Sequence, residues 1–218
     1  MEWPLLASLD DEERRRVLSA ARRRTYARGE VLVREGDPSD ALHLVESGRL
    51  AVRVSTTGGE NATINLLTHG DYFGELSLLD GQPPVRSATI VALEKSETLS
   101  LSATEFRALR ARHRAADQLL LTLMARRVEE LSARLLEAMY DGLDVRVYRR
   151  LAELAGLYGE GSGPAVVPLT QEHLAELVGG TRPTVNQILQ KLAGRGVVEL
   201  GRGRVTVLDQ AWLAQRAR

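Results

Sequence analysis

The sequence predicts an α+β chain in three parts: a β-rich body, a long helix, and a helix-turn-helix closed by a short β-wing. Three observations carry this prediction. Short apolar or alternating runs separated by turn residues fill the stretch from about Gly29 to Leu101. Apolar residues then recur at steps of three and four up to about Tyr140. From roughly Leu169 to Leu208, small and apolar residues stand where two steeply crossing helices require them. The parts are expected at 1–110, 111–141 and 142–218.

The opening Ser8-Leu9-Asp10-Asp11-Glu12 reads as a helix start, with Ser8 as cap and the acids at the positive end of the helix dipole. Strands are then expected at Glu30–Arg34, Ala41–Val45, Leu50–Val54, Ala62–Leu66, Ala88–Ala92 and Glu97–Leu101. Gly36-Asp37-Pro38-Ser39, Ser47-Gly48, Gly58-Gly59, Gly70-Asp71 and Asp80-Gly81 supply the turns. Short strands at such spacing indicate an antiparallel sandwich or barrel. A helix is expected from Ala103 to Tyr140. Leu121, Met124, Val128, Leu131, Leu135 and Ala138 form a heptad seam on it, the pattern of a parallel helix pair made by two copies. The alternative is a helix lying on its own barrel. Asp141-Gly142-Leu143-Asp144 reads as a hinge, followed by a helix to about Tyr158 and a Gly/Ser/Pro loop over 159–164.

In the helix-turn-helix, Ala175 supplies the small residue at the helix crossing and Gly179 the positive φ of the turn. Leu174, Val178, Val185 and Ile188 form the shared core, Thr181 is the expected cap of the second helix, and Pro183 sits in its first turn. Two β-rich stretches around Gly201-Arg202-Gly203-Arg204 make the wing. This arrangement binds double-stranded DNA: Arg182 and Gln187 would reach base edges in the major groove, while Thr170, Gln171, Arg202 and Arg204 would hold the backbone. Thr181, Pro183, Thr184 and Asn186 complete the expected DNA-facing set.

Composition narrows the function classes. The chain has no cysteine, which excludes disulfides, Cys-ligated zinc and iron–sulfur clusters. No apolar run approaches the ~18–20 residues of a membrane span, and Met1-Glu2-Trp3-Pro4 is no signal-peptide start, so a cytoplasmic place is expected. Net charge is zero, yet from Val145 onward there are 10 basic and 6 acidic residues, a basic end on an acidic body. His43, His69, His113 and His173 are scattered and read as surface or packing residues. Without clustered ligands, a nucleophile elbow or a P-loop, neither a metal nor catalysis is expected; a metal-dependent barrel enzyme is the remote alternative.

One segment of the β-body carries further chemistry. Gly70-Asp71-Tyr72-Phe73-Gly74-Glu75-Leu76 is followed by Arg86-Ser87-Ala88. A Gly-Glu-Leu turn with a later Arg can cradle a phosphate between backbone N–H groups and a guanidinium, and Glu75 can accept from a ribose hydroxyl. A structural turn with a surface arginine is the plainer alternative.

Phe73-Gly74-Glu75-Leu76, Arg86-Ser87-Ala88, Met124-Ala125-Arg126-Arg127 and the helix-turn-helix together resemble the cyclic-AMP receptor protein/FNR (CRP/FNR) family of bacterial transcription regulators. The resemblance covers nearly the whole chain and is strongest to the cyclic-AMP-responsive members. It implies a cyclic-nucleotide-binding jelly-roll barrel, a dimerisation helix, and a cytoplasmic homodimer on a palindromic DNA site. It further implies cyclic AMP (cAMP) as allosteric effector and RNA polymerase as a partner. Gly74, Ser87 and Ala88 would offer donors, Arg86 would bind the cyclic phosphate and Glu75 the ribose, with Leu76 beside them. Arg127 would brace the site from the long helix, and Ser132 of a second copy would reach the adenine. Two departures stand out. Leu131 occupies the place of a threonine that bonds the adenine amino group in cAMP-responsive members, and the stretch Asp80–Val85 is one residue longer. In the recognition helix, Pro183 and Gln187 replace residues with familiar base contacts, whereas Arg182 is retained. A family member that acts without a cyclic nucleotide, or with another effector, is the alternative reading.

Overall fold

Two antiparallel four-stranded sheets enclose the first core. One runs β1 (Arg22–Tyr26), β8 (Ser96–Ser102), β3 (Ala41–Ser47), β6 (Tyr72–Phe73); the other runs β2 (Val31–Val33), β7 (Thr89–Ala92), β4 (Leu50–Ser55), β5 (Asn61–Leu67). The computed structural model describes residues 3–7, 9–55, 61–79, 85–159 and 163–217. Helix α1 (Asp11–Ala20) precedes the strands, the single-turn α2 (Leu76–Leu79) follows β6, and α3 (Ala103–Arg112) and α4 (Arg114–Tyr140) follow β8. The chain divides into two compact units, Met1–Glu129 and Glu130–Arg218.

All six expected strands form, and two more join them. Strand β1, Arg-Arg-Arg-Thr-Tyr, has no apolar alternation and is exposed except at Tyr26. Strand β6 has only two residues. Alternation along β3 sorts the core: Leu42 and Leu44 join a cluster with Leu6, Leu101, Phe106 and Leu120, while Val45 joins Phe73, Leu50, Val52 and Ile90 between the sheets. His43 lies in the same interior, 5% exposed, stacked on Phe73 at 4.6 Å and bonded to Thr98 Oγ1 at 3.3 Å.

Three local expectations are corrected. Asp10, not Ser8, caps α1 by accepting from Glu13 N; Ser8 lies outside the described residues, as do Gly58-Gly59 and Asp80-Gly81. The expected single helix over 103–140 is broken at His113, whose extended backbone separates α3 from α4. The seam also divides. Leu120, Leu123 and Met124 pack on the unit's own core, whereas Leu121, Val128, Leu131 and Leu135 are 45–70% exposed.

The second unit contains α5 (Leu143–Tyr158), β9 (Ala165–Val167), α6 (Gln171–Val178), α7 (Arg182–Gly194), β10 (Val198–Gly201), β11 (Arg204–Val207) and α8 (Gln210–Arg216). Leu174, Val178, Val185, Ile188 and Leu192 are buried, as are Val147, Leu151 and Leu154 of α5, which packs on α6 and α7. Ala175 is buried, and Gly179 ends α6 with φ 61° and ψ 45°. Strand β9, which follows the expected 159–164 loop and was not itself anticipated, completes a three-stranded sheet β10-β11-β9. At the junction after α4, Arg149 Nη1 reaches Asp141 at 2.7 Å and Glu137 at 3.2 Å, and its Nε donates to Ala217 O.

Gly179→Ala is expected to destabilise the protein by about 1–2 kcal/mol through its left-handed φ, read as a lower denaturant midpoint. Burial, with Arg86 and Arg24 nearby, lowers the His43 pKa from 6.5 to about 3. The unfolded chain therefore takes up a proton that the folded chain refuses, so the stability held above pH 6.5 erodes as pH falls towards 3. In thermal melts between pH 7 and pH 4, His43→Gln should show a shallower fall in midpoint than the parent. Equal slopes would refute this role.

Candidate functional site

Arg86 is fixed through its backbone before its side chain is considered. Its N–H donates to Asp37 O and its carbonyl accepts from Gly36 N, both at 2.8 Å, and Pro38 bridges Val85 alongside. The side chain is 5% exposed. Nη1 donates to Ala41 O at 3.0 Å, while Nε is buried without a hydrogen-bond partner.

Gly74 makes this seat possible. Its φ is +91°, and a Cβ there would overlap both Arg86 Nη1 and the Ala41 carbonyl oxygen. Glu75 follows it, 2% exposed, and burial pushes its carboxyl above the usual range; its own backbone N–H, Arg127 and Arg86 act in the opposite sense. Tyr72 is likewise pushed up by burial and then by Glu75, with Arg127 opposing.

These residues line one cavity. Gly74, Glu75, Leu76, Arg86, Ser87, Ala88 and Arg127 meet over a wall of Val33, Val52, Phe73 and Ile90. Every residue expected at the site from the β-body is therefore assembled, together with Arg127. The apolar wall was missed because it comes from one face of separate strands, where period-two alternation is the only signal. Leu131 and Ser132 are exposed on α4. The cavity volume is about 50 Å³, far below the ~300–1,000 Å³ of typical ligand pockets. A buried guanidinium with a donor to spare, over a glycine that lets a backbone close in, fits an oxyanion. The half-exposed Leu76 stands at the rim of the site.

In the second unit, Thr170, Gln171, Arg182 and Arg204 line a cleft of about 370 Å³ with Leu169, Glu172, Gly201 and Gly203. Thr170 caps α6 by accepting from His173 N at 3.1 Å. Thr181 holds the N-cap position of α7 but does not cap it; its hydroxyl pairs with that of Thr184 at 2.9 Å. Arg182, Pro183, Thr184 and Gln187 are exposed, whereas Asn186 is half-buried with its Oδ1 in no hydrogen bond. Arg202 and Arg204 stand exposed at the wing turn, where Gly203 has φ 70°. Glu172, absent from the sequence expectation, lies 3.8 Å from Arg182; both side chains are well exposed, so the pair is weak.

Among the described residues no three His, Cys, Asp or Glu side chains are grouped to hold a metal ion, and no helix is long and apolar enough to cross a membrane. Residues 23–113 match the cyclic nucleotide-binding domain and residues 145–216 the Crp-like helix-turn-helix domain. The cyclic AMP receptor protein of Thermus thermophilus is 37% identical over 214 residues, spanning 98% of this chain and 96% of that protein. A CRP-like cAMP-activated global transcriptional regulator of Mycobacterium tuberculosis is 32% identical, over 88% and 87% of the two chains. The crystal structure of the Thermus thermophilus catabolite activator protein superposes with a TM-score of 0.56 at 36% identity, over 98% of each chain. The β-body with its Gly74–Arg86 seat, the long helix and the winged helix-turn-helix are thus the parts of a regulator rather than of an enzyme, and the chain belongs to the CRP/FNR family of DNA-binding transcription regulators.

Proposed function

We propose that this regulator acts as a cytoplasmic homodimer whose binding to a palindromic operator is biased by a cyclic nucleotide, cAMP by preference. The observation that carries the reading is the buried Arg86–Gly74–Glu75 seat: a desolvated guanidinium with a free donor beside a buried carboxyl. Arg86 would pair with the cyclic phosphate, backbone at Gly74, Ser87 and Ala88 would donate to it, and Glu75 would accept from the ribose hydroxyl. Leu76 would cover the site and Arg127 would brace Glu75. The names of two similar relatives support the preference for cAMP.

Dimerisation is supported by Leu121, Val128, Leu131 and Leu135, apolar and exposed along one helix. In such a dimer Ser132 of the second copy would approach the base. Leu131 strengthens the seam where the purine amino group would otherwise be read, so the active dimer is less dependent on ligand and discriminates purines less. Ligand then shifts a population already partly active. On DNA, Arg182 and Gln187 would read bases, with Thr181, Pro183, Thr184 and Asn186 beside them. Thr170, Gln171, Arg202 and Arg204 would hold phosphates, and RNA polymerase would be engaged at the promoter.

Operator binding of the purified protein, titrated with cAMP, tests this. A modest rise in affinity is expected, and no effect of any cyclic nucleotide would favour the ligand-free alternative. Arg86→Gln should weaken cAMP binding by about tenfold or more in calorimetry. Leu131→Thr should sharpen the preference for cAMP over cyclic GMP and increase the ligand requirement.

A further inference from the structure

A second cleft, of about 580 Å³, opens in the β-body, and the regulatory reading leaves it unused. Register across β1 and β8 sets Arg22 opposite Ser100 and Arg24 opposite Thr98, while β3 sets His43 opposite Ser100 from the other side. Arg22 and Arg24 therefore share the sheet face that carries His43. Arg86 lines this cleft as well as the first, and the Ala41 carbonyl that receives its Nη1 belongs to the cleft lining.

The cleft lining carries three guanidiniums and three carboxylates. Among the described residues, none of Arg22, Arg24 and Arg86 lies within 4 Å of a carboxylate, although Asp37, Asp40 and Glu105 also line the cleft. Arg86 keeps a buried Nε with no partner. Three guanidiniums, none in a close ion pair although Asp40, Glu75 and Asp37 act on Arg86 through space, stand with the hydroxyls of Ser100 and Ser102 and offer forked donors suited to phosphate oxygens. The carboxylates offer acceptors for hydroxyls on the carrier of that phosphate. The volume falls within the ~300–1,000 Å³ range of small-molecule sites.

We propose that this cleft binds a phosphate monoester of a hydroxylated small molecule through Arg22, Arg24 and Arg86, and that its occupancy opposes cyclic-nucleotide binding because Arg86 serves both sites. The second clause rests on the role given to Arg86 above; the first does not. One guanidinium cannot be aimed at two phosphates, and linkage makes the antagonism mutual.

Calorimetric titration of the full-length protein with glucose 6-phosphate, inorganic phosphate and glucose tests the site. Saturable binding of the two phosphates and none of glucose is expected. Arg22→Gln/Arg24→Gln, which changes two exposed side chains outside the nucleotide pocket, should weaken it by about tenfold or more. At saturating glucose 6-phosphate the parent's affinity for cAMP should fall by about fivefold or more, and that of the double variant should not. No saturable binding at millimolar concentration, or equal binding by the double variant, would overturn the site. Saturable binding that leaves cAMP affinity unchanged would overturn the sharing of Arg86. A protein that binds no cyclic nucleotide would refute the preceding reading, while the direct titration still decides the cleft.

Discussion

Arg86 sits almost fully out of water, and taking a guanidinium out of water is expensive unless its donors are met. The N-terminal unit is arranged around that demand. The turn at Gly36-Asp37 clamps the Arg86 backbone, the Ala41 carbonyl receives one donor, and the missing Cβ at Gly74 leaves the room. Burial of Glu75 next door favours its neutral form, and Arg86 and Arg127 pull it back towards the carboxylate. A site with a donor left over and a buried carboxyl pulled in both directions has its electrostatics set before any ligand arrives. A phosphate would complete this arrangement rather than create it.

The cavity at this seat borders the long helix, which bears on how a ligand could act. A ligand that remodels the wall next to Arg127 acts on α4 itself, because Arg127 belongs to that helix. Helix α4 carries two different apolar edges. Leu120, Leu123 and Met124 are satisfied within their own unit, and Leu121 and Val128, only a residue or a few away, are not. The heptad pattern therefore mixed two functions that differ by about a quarter turn of helix. Packing on the barrel accounts for part of the seam, and the exposed part is the edge proposed above to pair with a second copy.

Much of the fold was legible because its signals are local. Strands of Val, Leu and Ile between glycine turns, the Ala175 and Gly179 pair, and the Gly-Arg wing each announce themselves within a few residues. What escaped depended on distant partners. Strand β1 is Arg22-Arg23-Arg24, a sequence that reads as surface, and only pairing with β8 makes it a strand. Strand β9 needed β11 in the same way. Thr181 stands where a cap belongs, but the hydroxyl of Thr184 competes for it. The Gly74, Glu75 and Arg86 positions were readable as a spacing, whereas the hydrophobic wall and the tightness of the pocket were not. Those come from side chains that meet only after the sheets close.

The fastening of Arg149 has a consequence for protein engineering. Its guanidinium joins Glu137 and Asp141 at the end of α4 to α5 and to the carbonyl of Ala217, so the last turns of the long helix are built as part of the C-terminal unit. The break at Gly142 looks like a natural place to cut and splice, yet a hybrid joined there would take Arg149 from one parent and its two carboxylates from the other. A graft made near Glu129 and Glu130 keeps all of those groups from one parent, so modular exchange of sensors and DNA-binding heads in this protein should follow the ion pairs rather than the helix ends.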